Sequence, residues 1–204
     1  GRQNILSAKN EMNFFPAVNH DVFVDIQAMG SNGNVLRSMK GVIVDSKGMV
    51  AANLSPLAGA DAVKIVLKNG KSYEIKSMWR DDGKNIALMK IEENALPSFK
   101  IADLRQIGIG EKVFFLDDSY NVKDAVREAV ISDFKSATGR RSGVDIQYIQ
   151  FVSFTPEKKR GFLVDKEGRL IGLSVSEEKN INFAAPLNEA FKLAKLRKPV
   201  NITE

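Results

Sequence analysis

Hydrophobic positions in this chain come in short runs separated by turn residues, and within most runs they alternate with polar ones. That rhythm predicts strands rather than helices. Val22-Phe23-Val24-Asp25-Ile26-Gln27 reads as a strand. Val42-Ile43-Val44 runs through the turn Asp45-Ser46-Lys47-Gly48 into Met49-Val50-Ala51-Ala52, which makes a hairpin. Val63-Lys64-Ile65-Val66-Leu67 alternates with period two, and Tyr73-Glu74-Ile75-Lys76 returns after Lys68-Asn69-Gly70-Lys71. The Asn-Gly pair there predicts a type I′ turn, which needs positive φ at both central residues. Ile86 to Ile91 is the next buried strand.

A second set opens with Lys112-Val113-Phe114-Phe115-Leu116 and continues with Ala129 to Phe134 and Ile146 to Phe151. Gly161-Phe162-Leu163-Val164 turns through Asp165-Lys166-Glu167-Gly168 into Arg169 to Val175, and Ile181 to Ala185 is the last strand before Pro186. From Leu187 the spacing becomes helical, with Leu187, Ala190, Phe191, Ala194 and Leu196 along one face. A helix over Ile5 to Phe15 is also expected. Two runs of roughly six strands each, followed by a helix, fit an all-β fold of two packed antiparallel barrels. The expected organisation is an N-terminal segment over 1–20, a first β-barrel over 21–111, a second over 112–186, and a C-terminal helix and tail over 187–204.

Composition narrows the function classes. With 204 residues, 44% of them hydrophobic, the chain can bury a core. There is no cysteine, so the fold does not depend on disulfides and the redox compartment stays open. No apolar run approaches the roughly 20 residues that span a bilayer. The chain begins at Gly1, so the lack of a leader carries no information. A net charge of +5, from 30 basic and 25 acidic residues, is too mild and too scattered for a nucleic-acid binder. The carboxylate pairs Asp81-Asp82, Asp117-Asp118 and Glu177-Glu178 read as solvated turns. With one His and no Cys, neither a metal site nor a cofactor is expected.

Four strings carry a resemblance. GVIVDSKGMVAANLSPLAGAD, from Gly41 to Asp61, resembles the hairpin of the HtrA-type (Deg-like) serine proteases that leads into T-N-x-H-V and then G-A-D. VKIVLKNGKSYEIKSMWRDDGKNIALMKI, from Val63 to Ile91, is similar to the family's strand, D-G turn and D-x-x-x-D-L-A-L-L-K-I. PEKKRGFLVDKEGRLIGL, from Pro156 to Leu173, resembles P-G-N-S-G-G-P-L-V-N-x-x-G-x-V-I-G-I, with one residue fewer before Pro156 than the family has. INFAAP, from Ile181 to Pro186, resembles G-F-A-I-P. In order and together they span roughly two thirds of the chain. The resemblance implies the trypsin-like double antiparallel β-barrel with a C-terminal helix.

It also implies a site whose chemistry is altered. The family's catalytic His falls on Ser55, its catalytic Asp on Asn85 and its nucleophilic Ser on Lys159. A triad of this type needs a hydroxyl nucleophile, an imidazole to take its proton and a carboxylate to orient the imidazole. The single imidazole, His20, precedes the first motif and reads as a surface or strand-edge residue. The Gly-rich turn that supplies oxyanion donors reads Glu157-Lys158-Lys159-Arg160, with Gly161 retained.

The expectation is therefore a catalytically inactive domain, a pseudoprotease that binds or scaffolds a protein or peptide. Family members take extended peptides by strand addition, which needs an open sheet edge rather than a triad. The resemblance implies that edge over Glu177 to Ala184, with Ile181 and Phe183 in it and Lys158, Lys159 and Arg160 filling the old catalytic corner. It also implies an extracytoplasmic location and a trimer, with membrane attachment left open outside this stretch. The alternatives are an active hydrolase using a Ser55–Lys159 dyad and a purely structural assembly module. In the dyad, Lys158 and Arg160 would depress the pKa of Lys159 toward that of a base.

Overall fold

A computed structural model describes residues 19–117, 126–138, 145–153, 160–178 and 181–203. The described residues form two β-sheets and one α-helix. Strands β1 (Phe23–Met29), β2 (Val35–Ile43), β3 (Met49–Asn53), β4 (Ala62–Leu67), β5 (Ser72–Ile75), β6 (Ser77–Asp81) and β7 (Ile86–Lys90) belong to the first. Strands β8 (Lys112–Asp117), β9 (Val126–Thr138), β10 (Asp145–Ser153), β11 (Gly161–Val164), β12 (Leu170–Glu178) and β13 (Ile181–Pro186) form the second. Helix α1 (Leu187–Leu196) and a two-residue strand β14 (Val200–Asn201) follow. The expected helix over Ile5 to Phe15 lies outside the described residues.

The second sheet closes into a barrel in the order β10-β13-β12-β11-β8-β9. The first does not close. It is an eight-stranded half-barrel, ordered β14-β6-β7-β3-β2-β1-β4-β5, with β5 and β14 as its edges. The all-β, trypsin-like architecture is thus present, with one barrel closed and one open.

Burial explains why the strands sit where they do. In β1 the alternate residues Val24, Ile26 and Ala28 are buried and face Val63, Ile65 and Leu67 of β4 inside the half-barrel. Strands β3, β7 and β11 instead bury consecutive residues. Ala87 and Met89 of β7 face the half-barrel interior, while Ile86 and Leu88 face the closed barrel. Leu163 of β11 fills the closed barrel, while Phe162 and Val164 face outward to meet the first sheet. Unbroken apolar runs mark strands covered on both faces. The layer between the sheets also takes Val42, Ala51, Phe99, Phe114, Leu116 and Leu173. At its rim the ring of Phe23 packs against those of Phe99 and Phe162, each with its centroid 5.7 Å away.

Several local expectations are corrected. The β4–β5 turn is not type I′: Gly70 has φ 86°, while Asn69 is not among the residues with positive φ. Leu67 N–H donates to Lys71 O at 2.8 Å, so three residues form the loop, with glycine in the left-handed position. Leu196, expected on the buried face of α1, is 84% exposed, whereas Leu187 and Ala190 are buried between the sheets. Asp117, expected in a solvated turn, is 6% exposed at the end of β8. The tail beyond α1 returns to the first sheet. Trp79 Nε1 donates to Arg197 O at 2.9 Å, and Val200 pairs with Met78.

Gly161 shows how tightly the closed barrel is built. It lies opposite Asp117, and a Cβ placed on it would stand 2.1 Å from Leu116 O, a backbone atom. Gly161→Ala is therefore expected to destabilise the protein by about 1–3 kcal/mol, the scale of overpacking. Gly108→Ala, where a Cβ meets nothing within 4 Å, serves as the neutral control. Denaturant midpoints check this, and equal midpoints for the two variants would contradict the packing described.

Candidate functional site

Strand β3 carries the chain from the core to the surface. Val50, Ala51 and Ala52 are fully buried, Asn53 and Leu54 nearly so, and Ser55 is exposed at the start of a 3-10 turn, Ser55–Leu57. Pro56 suits the first turn, where its missing N–H costs no hydrogen bond. Arg37 of β2 holds the turn from outside. Its Nε donates to Pro56 O at 2.7 Å and its Nη2 donates to Ala58 O.

Asn85 comes from the tight connection between β6 and β7. Asp81 stands opposite Ile86, and Asp81 Oδ1 accepts from Lys84 N–H at 3.0 Å. Asn85 itself has φ 56°, a left-handed conformation that Asn enters more readily than most residues. From there it receives two successive N–H groups. Leu54 N–H donates to its carbonyl at 3.0 Å, and Ser55 N–H donates to its Oδ1 at 2.7 Å. Two positions singled out in the sequence thus meet directly.

The meeting involves the backbone of Ser55 and not its hydroxyl. Among the described residues no base engages Ser55 Oγ. His20 sits in the turn His20–Val22 before β1, stacked on Phe23 at 6.4 Å. Lys84 is buried and its ammonium lies 4.0 Å from Asp81 Oδ2. Beside them Tyr148 of β10 donates its hydroxyl to Gly83 O, crossing from the closed barrel to the half-barrel. Burial, and after it the Asp81 carboxylate, raises the pKa of this phenol, so it remains a donor.

A second tie crosses the sheets at Asn53. Its Nδ2 donates to Ser174 O at 2.9 Å in a buried setting. Ser174 immediately precedes the part of β12 that has outrun β11.

Ile181 and Phe183 lie in β13, which is hydrogen-bonded to β10 on one side and β12 on the other. Phe183 is thus flanked by strands on both sides, whereas Glu177 and Glu178, at the start of the stretch Glu177 to Ala184 expected as the edge, belong to β12. From Val175 to Glu178, among the described residues, β12 has a strand partner on its β13 side only, although it is paired to β11 earlier in its length. Lys158 and Lys159 lie outside the described residues. Arg160 is exposed immediately before β11. Asn53, Arg37 and Tyr148 were not singled out from sequence. Asn53 carried a signal, since it is the one polar residue continuing the apolar run Val50-Ala51-Ala52 and it matches the Asn of T-N-x-H-V. Arg37 and Tyr148 carried none, because their partners are backbone carbonyls distant in sequence.

Comparison with known proteins agrees with this geometry. A family model described as a trypsin-like peptidase domain matches residues 39–173. A probable periplasmic serine protease do/HhoA-like from Haemophilus influenzae is 27% identical over 180 residues, 82% of this chain and 39% of the relative. Serine endoprotease DegS from the same organism is 28% identical, over 74% of this chain and 47% of its own length. Periplasmic serine endoprotease DegP of Salmonella typhimurium is 28% identical, over 79% of this chain and 37% of its own. The chain spans less than half the length of each of these relatives.

The Asn85 contacts generate a stability test. Asn85→Ala removes the acceptor for the exposed Ser55 N–H and puts a residue less tolerant of positive φ there, so a loss of about 1–3 kcal/mol is expected from the two effects together. Asn85→Gly relaxes the backbone but leaves the N–H unpaired, and Asn85→Asp keeps an acceptor. The expected order of denaturant midpoints is wild type, then Asp, then Gly, then Ala. An alanine variant as stable as wild type would show that these bonds do not hold the turn.

Proposed function

The chain belongs to the trypsin-like peptidase domain family, as an HtrA-like trypsin-fold domain, and from that premise we propose that it binds a protein or peptide without cleaving it. The observation that carries the reading is the closed contact of Ser55 with Asn85. Oδ1 of Asn85, the residue in the orienting position of a triad, accepts the backbone N–H of the residue that would carry the imidazole. Ser55 supplies no imidazole, and the chain's one His is stacked on Phe23. An amide cannot stabilise an imidazolium as a carboxylate does. A hydroxyl at position 55 would also stand where the base belongs rather than where the nucleophile does.

Binding is supported by the stretch of β12 from Val175 to Glu178, which has no strand partner on its β11 side among the described residues. An extended peptide adds to such an edge through main-chain hydrogen bonds, and these need no triad. The basic run Lys158-Lys159-Arg160 immediately precedes β11 in sequence, and we assign to it the capture of an acidic group on the partner. The relatives' names place two of them in the periplasm, and an extracytoplasmic site is the proposed setting here too. Assembly as a trimer is proposed on the same resemblance.

Two measurements test this. Purified protein is expected to leave unfolded casein intact and to remain unlabelled by fluorophosphonate probes; casein cleavage that disappears in Ser55→Ala would overturn the reading. Exchanging Lys158, Lys159 and Arg160 together for Ser is expected to weaken binding of a poly-glutamate peptide at low salt. The difference should shrink as added salt screens it. Equal binding by the two proteins at low salt would remove the basic run from the site.

A further inference from the structure

Next to the Ser55–Asn85 contact lies a groove of about 450 Å³ that the peptide edge of β12 does not use. It opens on the half-barrel, between the segment following Ser55, strand β6 and the tail at Ile202 and Thr203. Its floor is apolar: Leu54, Leu57, Met78 and Ile202 line it, and each is buried. Arg80 of β6 stands in its wall as the only basic residue among those lining it.

Arg80 is incompletely satisfied. One terminal nitrogen, Nη2, bonds Asp82 Oδ1 at 2.6 Å. Nε is buried and has no acceptor among the described residues. Asp82 is 68% exposed, so this single ion pair is weak and mostly solvated. A buried donor without a partner is costly, and each such group calls for a reason. The guanidinium fork matches a carboxylate through two parallel N–H donors, and Arg80, whose side chain is 34% exposed, borders a groove with an apolar floor and with Asp82 in its lining. The volume suits a small group rather than a folded partner.

We propose that this groove takes a peptide carboxylate carried next to an apolar side chain. The side chain rests on Leu57, Met78 and Ile202, and the carboxylate pairs with Arg80. The end of a peptide chain presents both groups on one residue and is the source to which we commit; an acidic side chain beside an apolar residue is the other source of the same chemistry. The inference rests on the peptide-binding reading above and names the ligand chemistry of a second part of the same site.

Fluorescence anisotropy with three labelled synthetic peptides tests it. One ends in Val-Leu-Phe with a free carboxylate, the second is its C-terminal amide, and the third is the amide with Glu placed before the Phe. The free acid is expected to bind at least tenfold more tightly than the plain amide. Arg80→Gln should erase that difference, a change on the scale of one charge-assisted hydrogen bond. Arg80→Lys, which keeps the charge and loses the fork, should retain only part of it, and it carries the test if the Gln variant does not fold. Arg105→Gln removes a charge from an exposed turn and should leave the preference unchanged. If the Glu-bearing amide binds as tightly as the free acid and loses this in Arg80→Gln, the groove takes carboxylates from side chains as well. Equal binding of acid and plain amide, or a preference unmoved in both Arg80 variants, overturns the carboxylate assignment and leaves peptide binding standing. No binding by any of the three overturns both.

Discussion

The register between β3 and β7 fixes this site, and the apolar layer between the sheets fixes that register. Asn53 pairs with Ile86, so the next residue along β3, Leu54, and the preceding residue of β7, Asn85, must lie side by side. A slip of one residue would exchange Ile86 and Leu88 for Ala87 and Met89 against the closed barrel. Close-packed interiors resist such exchanges of volume, because a misfit of even a methylene group on either face is felt. Both faces of β7 are covered, so both would be misfit at once. The meeting of Ser55 with Asn85 therefore follows from core packing and requires nothing of the chemistry at either position.

That independence lets a scaffold of this kind keep its fold with either an amide or a carboxylate at position 85. The bonds that close the site run from backbone N–H groups to a carbonyl and an amide oxygen. Amide and carboxylate offer the same acceptor in the same place. They differ in charge. A carboxylate at position 85 facing a serine would be a half-buried anion with no imidazolium to answer it, which low-dielectric surroundings penalise. Asparagine supplies the acceptor without the anion and also tolerates the left-handed backbone that the β6–β7 turn imposes.

Much of this fold was legible because period-two alternation and turn residues are local. Strands such as β1 and β4 follow from their own residues. Strand β6, with the sequence Ser-Met-Trp-Arg-Asp, and the first half of β2, exposed from Val35 to Ser38, lack that alternation. Both are held in place by neighbouring strands, which no single stretch of sequence reports. The same limit applies at the site. Ser55 and Asn85 could be placed because flanking strings fixed their positions, whereas Arg37, Arg80 and Tyr148 act on groups that only the folded topology brings near. The turn between β4 and β5 shows a finer limit: Asn-Gly marks a hairpin, but strand pairing decides whether two or three residues make the loop.

Which strand offers its edge is likewise a property of closure. In sequence, β12 and β13 are neighbours of similar apolar character, and either could present main-chain groups to a peptide. Closing the barrel through β10 pairs β13 on both sides and, among the described residues, leaves β12 one-sided from Val175 to Glu178. Just before that stretch Asn53 donates to Ser174 O, so the carbonyl leading into it is already engaged by the half-barrel. The same residue ends β3, two positions before Ser55. A peptide lying along β12 would therefore meet a strand whose position is set by an amide from the first sheet, while Tyr148 holds the second sheet to the turn that carries Asn85. With the two sheets joined at both places, the one-sided stretch of β12 and the Ser55–Asn85 contact are held in one packed frame.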